Sequence, residues 1–145
     1  MSASNLAETA FLNLVFKNIA WAGIGDAAGL QPSALPGNLY IRLHSADPAE
    51  AGTGETSEIA YTGYAPVAVV RGAGFIVGGD TVGNAALVQF PICTAGNTTA
   101  RYFSICASAA AGAQIIVSGI LSSELSISTG IQPQFGAGAL LATVD

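Results

Sequence analysis

After residue 37 no sequence pattern holds for long: short stretches of strand-like residues start, run briefly, and are cut by Gly, Pro, Asn or Thr. The clearest is 38–45 (NLYIRLHS), where Leu39, Ile41 and Leu43 alternate with Tyr40, Arg42 and His44, the period-two signature of a half-buried strand. Further segments of this kind lie at 65–71, 75–77, 86–90, 102–108, 114–121, 125–128 and 140–144. Punctuation this frequent leaves room for short antiparallel strands and little else. It predicts a mainly β fold, an antiparallel, jelly-roll-like β-sandwich behind one N-terminal helix.

That helix is expected over 5–21. Asn5 with Glu8 three residues on resembles a capping pair, no Gly or Pro intervenes, and Gly23 and Gly25 end the pattern. Asn5, Thr9, Asn13 and Lys17 form one narrow polar stripe with Glu8 beside it, and apolar residues fill most of the remaining circumference. A helix apolar nearly all round is buried on more than one side. Phe11, Leu14 and Val15 make one apolar set and Leu12, Phe16 and Ile19 another, so one is expected against the sandwich and the other against a partner. Residues 23–37, rich in Gly, Ala and Pro, read as a connecting loop. One domain over 1–145, with the sandwich occupying 38–145, suits the length.

Charge is scarce. Only 9% of the 145 residues are charged against 51% hydrophobic, and the net charge is −5. Ordinary soluble domains carry about 25% charged residues, so much of this surface is expected to meet protein. Segments such as 113–121 (AQIIVSGIL), apolar on both faces, point the same way. No apolar run approaches the ~20 residues of a spanning helix, which argues against a membrane partner. The first ten residues lack the features of a secretory leader, so a protein made and assembled in the cytosol is expected. Lys17, Arg42, Arg71 and Arg101 are scattered, and no basic stripe exists to bind nucleic acid.

Candidate chemistry is sparse as well. His44 stands alone, without a second His or Cys at metal-ligand spacing, and reads as a surface or interface side chain. Asp47, Glu50, Glu55 and Glu58 fall in the acidic segment 47–58 but lack the alternating ligands of a calcium loop, so this segment reads as an exposed loop. Cys93 and Cys106 sit in apolar segments, as small buried thiols do. Neither a complete GxSxG nor a GxGxxG motif is present. No enzyme, no metal and no cofactor are expected. Tyr61 and Tyr64 beside Glu58 form the one aromatic cluster that could meet a glycan; packing anchors are the alternative reading.

Residues 43–69, LHSADPAEAGTGETSEIAYTGYAPVAV, resemble a group of small tailed-phage virion proteins with an LHTADPGEAG strand followed by a TGYARVAV segment. ALVQFPICTAG at 86–96 and ILSSELSISTGIQPQFGAGAL at 120–140 continue the resemblance in order, and the chain ends in TVD. Departures fall at Pro66, where the group often has Arg, and at 98–101. Members are often labelled tail fibre proteins and are also similar to capsid decoration or cement proteins. The resemblance implies a virion structural protein. Scarce charge and the lack of an internal repeat favour capsid decoration, with the major capsid protein as partner. A tail-associated protein bound to other tail proteins is the alternative, and a glycan-binding module a further one. A homo-oligomer, a trimer, is expected, with Phe11, Leu12, Leu14, Val15, Phe16, Ile19, Tyr61 and Tyr64 at its interfaces.

Overall fold

The structure, a computed structural model, describes residues 2–144. Helix α1 covers Asn5–Lys17. Its N-cap is Ser4, whose Oγ accepts a hydrogen bond from the Ala7 amide, rather than Asn5. The helix also stops short of the expected residue 21. Asn18 takes a left-handed conformation at φ 56°, and its side-chain amide exchanges two hydrogen bonds with the Ser33 backbone. That clamp ties the chain to the 23–37 loop one residue after the last helical turn.

Among the described residues nine strands follow: β1 Asn38–His44, β2 Val67–Val70, β3 Phe75–Gly78, β4 Thr81–Asn84, β5 Val88–Gln89, β6 Asn97–Cys106, β7 Ile115–Ser128, β8 Gln134–Phe135 and β9 Leu141–Thr143. They form sheets of order β2-β1-β6-β7, β3-β4-β9 and β5-β8, every pair antiparallel. The mainly β, sandwich-like architecture with a single N-terminal helix is therefore present. The expected strands 114–121 and 125–128 are one strand. A bulge between the pairs Ala100↔Leu125 and Tyr102↔Ile120 absorbs the polar residues Ser122, Ser123 and Glu124 that interrupt the pattern. Sequence periodicity passes over β4 and β8, which are too short and too rich in Gly, Asn and Gln to register.

The core lies between the sheets. Leu39, Ile41 and Leu43 of β1, Phe103 and Ile105 of β6, and Val117 of β7 line one side of the four-stranded sheet. Phe75, Val82 and Ala142 meet them from the β3-β4-β9 sheet as part of the same cluster. Leu12 and Phe16 close the gap from α1, with the Phe16 ring edge-on to Phe75 at 5.3 Å. Two cations lock the helix in place. Arg71 donates to the Leu14 and Val15 carbonyls in the last turn of α1, and Lys17 Nζ donates to the Gly72 and Phe75 carbonyls beyond β2. Arg71 thereby meets carbonyls at the negative, C-terminal end of the helix, and Lys17 ties that end to the start of β3.

Gly119 is the point where β7 and β9 touch. A Cβ there would stand 2.7 Å from Phe103 Cε1 and 2.9 Å from the Leu141 carbonyl oxygen. Gly119→Ala should therefore push the sheets apart and destabilise the fold by about 1–3 kcal/mol, read from the urea midpoint. A change under about 0.5 kcal/mol would mean that the contact is slack.

Candidate functional site

The second face of the four-stranded sheet holds polar side chains that the chain itself covers. Arg42 on β1, expected to point to solvent, is buried and ion-paired to Glu58 at 2.8 Å, with side-chain exposures of 4% and 15%. Its other terminal nitrogen donates to the Ala109 and Ala110 carbonyls at 2.9 and 3.1 Å. Glu58 accepts a second bond, from the Tyr64 hydroxyl at 2.8 Å, and that hydroxyl accepts from the Leu43 amide. Loops 45–58 and 107–113 thus cap this face. The acidic loop is therefore not solvated throughout, while the second face of β7 stays partly open, with Ile116 half-buried and Ile120 exposed.

His44 is wholly buried, which overturns its reading as a surface or interface residue. Its ring nitrogens lie 2.7 Å from the Thr56 carbonyl and 2.7 Å from Ser104 Oγ. A carbonyl only accepts, so Nδ1 carries the proton, and Nε2 accepts from the Ser104 hydroxyl. Ser104 Oγ in turn lies 3.3 Å from Cys106 Sγ. Burial, opposed by the Thr56 hydrogen bond and the nearby Glu58 charge, lowers the His44 pKa and keeps the ring neutral. Burial also pushes the Cys106 thiol up, away from the reactive thiolate. A hydroxyl beside an imidazole has the form of a nucleophile and its base, but His44 and Ser104 are both 0% exposed and no substrate can reach them.

The expected interface residues divide. Leu12 and Phe16 belong to the chain's own core at 0% exposure and are not available to a partner. Phe11 and Val15 are half-buried against that core, Leu14 is half-buried, and Ile19, beyond the helix end, is 51% exposed. Tyr61 and Tyr64 are internal anchors. The Tyr61 hydroxyl donates to the Pro91 carbonyl, Tyr64 is held by Glu58, the two rings meet edge-on at 5.3 Å, and Tyr64 stacks on Phe90. Burial raises both phenol pKa values, that of Tyr64 the further. Arg42 and Ser104 are the residues that sequence reasoning missed; a polar residue in a period-two strand carries no mark of whether it faces water or a covering loop.

Outside this node, a hollow of about 480 Å³ lies between α1 and the 31–39 segment. Arg71 forms part of its wall, with its donors directed to Val15, Leu14, Ser33 and Pro36. Among the described residues no group of three His, Cys, Asp or Glu side chains could hold a metal ion, and no helix is long and apolar enough to cross a membrane. Large apolar side chains do reach the surface, Leu6, Leu35 and Ile120 the most exposed at 85%, 80% and 69%.

Because His44 is held neutral in the fold and takes up a proton more readily once unfolded, stability should be level above about pH 7 and fall as pH drops below about 6.5. Urea midpoints measured between about pH 7.5 and 5 check this, and His44→Gln should flatten the slope in that window. An unchanged slope in the variant would place the titrating group elsewhere.

Comparison with known families completes the description of the site. The family described as "Podophage GP4 fiber I protein gp80" matches residues 2–143, which takes in α1, every strand and the buried polar node. No curated protein matches the chain.

Proposed function

Because the chain belongs to the podophage GP4 fiber I protein gp80 family, we propose that this phage structural protein is a non-enzymatic part of the virion's tail-fibre apparatus, built to pack against other protein subunits. The observation that carries this reading is the extent of the match: it runs through helix, sheets and loops alike, over residues 2–143, and is not confined to one segment of the chain. The chemistry inside the chain supports it. His44, Ser104, Cys106, Arg42 and Glu58, the side chains best suited to catalysis, bind one another or nearby backbone and pin loops to the sheet.

Capsid decoration, favoured by composition, has no support of its own from the family, whose description names a fibre. Low charge and exposed apolar side chains suit either location. A glycan-binding role loses its candidate cluster, since Tyr61 and Tyr64 are occupied inside the fold. The working state in this reading is a homo-oligomer, a trimer, bound to tail proteins, with exposed Leu6, Leu35 and Ile120 as examples of surface that assembly would cover.

Gold labelling of the chain in purified particles tests the location: label at the tail is expected, and label over the head would transfer the protein to the capsid. Absence from particles, together with a monomer in light scattering at micromolar concentration, would remove the structural role altogether.

A further inference from the structure

The outer edge of β7 is open. β7 is the last strand in the order β2-β1-β6-β7, and among the described residues the backbone groups of 115–127 bond to no element other than β6. Just before β7 that edge is in use. The Gln114 carbonyl accepts from Ala107 on the β6 side, while the Ala113 carbonyl accepts from Gly54 on the other. Successive carbonyls point to opposite sides of a strand, so the 53–54 turn pairs with the outer edge for one step and then leaves it.

Beyond that step a groove of about 380 Å³ runs between Asp47, Ala49 and Glu50 on one wall and residues 115–118 on the other. All four consecutive residues of the strand line it. Neighbouring side chains project to opposite faces, so a hollow touching four in a row follows the strand's edge rather than one face of the sheet. An open edge is a template for another strand, and proteins usually guard it with Lys, Pro or a covering loop. Residues 115–120, IIVSGI, carry none of these guards.

Charge selects the occupant. Asp47 and Glu50 are exposed on the groove wall, and neither is in an ion pair. Among the described residues no Lys or Arg is spare to offer them: Lys17 and Arg71 are bound to backbone carbonyls around α1, Arg42 to Glu58 and Arg101 to Glu124. Two copies pairing through 115–118 about a two-fold axis would bring both sets of carboxylates together at one place, which like-charge repulsion opposes. We propose that this groove binds an extended segment of a partner protein by strand addition to β7, and that the segment carries Lys or Arg at alternate positions facing Asp47 and Glu50. The inference deepens the packing role proposed above by naming the surface and the chemistry of its partner.

The test uses the full chain and an acetylated Lys-Val-Lys-Val-Lys-Val peptide, with its Glu-Val counterpart as control. Hydrogen exchange of the 115–120 amides should slow by about tenfold or more at saturating basic peptide and stay unchanged with the acidic one. Asp47→Asn/Glu50→Lys should abolish that protection while circular dichroism stays unaltered, because Asn keeps the acceptor used by the Ala49 amide and Glu50 is exposed. Protection by both peptides alike, or full protection in the double variant, would overturn the charge selection. No protection at any concentration would overturn strand addition. Concentration-dependent protection without peptide would assign the edge to a second copy and overturn the partner. These measurements need no particle, so they can fail while a tail location stands, and the reverse.

Discussion

The buried guanidinium of Arg42 is the constraint around which one half of the molecule is arranged. A charge taken out of water on a strand must be met by an opposite charge and by hydrogen-bond acceptors, or the strand will not stay covered. Glu58 supplies the charge and the Ala109 and Ala110 carbonyls supply acceptors, from two loops far apart in sequence. A buried pair of this kind adds little net stability over apolar packing; removing one partner is what is costly. Its effect here is to dictate which loops lie on the sheet. Room for the side chain is also fixed, since a Cβ on Gly54 would stand 2.7 Å from Arg42 Nε. That Nε is the one buried side-chain polar atom without a partner among the described residues, so even this arrangement does not satisfy the group completely.

Much of this was legible in the sequence, and the losses have a common cause. Period-two alternation located β1, because apolar side chains must fall on one face of a pleated sheet, and short strand-like segments cut by Gly, Pro, Asn or Thr located β2, β3, β5, β6, β7 and β9. The same alternation misjudged the other face. Arg42 and His44 look like solvent positions, and only the later arrival of loops 45–58 and 107–113 turns them inward. Nothing local to NLYIRLHS encodes those loops. The helix shows the reverse case. Its narrow polar stripe implied burial on more than one side, but the buried residues Glu8, Leu12 and Phe16 recur every fourth position and form one stripe, with Phe11 and Val15 packed half-buried beside it.

Covering one face by loops has a consequence at the sheet's margin. Loop 45–58 is drawn toward the middle of the sheet, where Thr56 meets His44 and Glu58 meets Arg42, and its backbone pairs with the outer edge only just before β7, at residues 113–114. A loop held inward by a buried charge lies beside the outer strand without pairing its backbone to it. The open edge of β7 is thus a by-product of the same interaction that closes the back of the sheet.

Scarce charge then fixes how such a molecule can choose its neighbours. With four cations, all committed to holding the helix, the loops and β6 against β7, the chain has no positive side chain free for recognition. Its means of selecting a partner reduce to exposed apolar side chains, unpaired backbone at an edge, and carboxylates. Apolar contact is undirected, and backbone pairing accepts any extended strand; carboxylates discriminate, because they repel acidic segments and attract basic ones. The groove beside β7 is where edge backbone, partly buried isoleucines and two free carboxylates coincide within one hollow. Strand pairing and buried apolar area hold a segment there only when Asp47 and Glu50 attract it, so raising the ionic strength should weaken the binding of a basic segment.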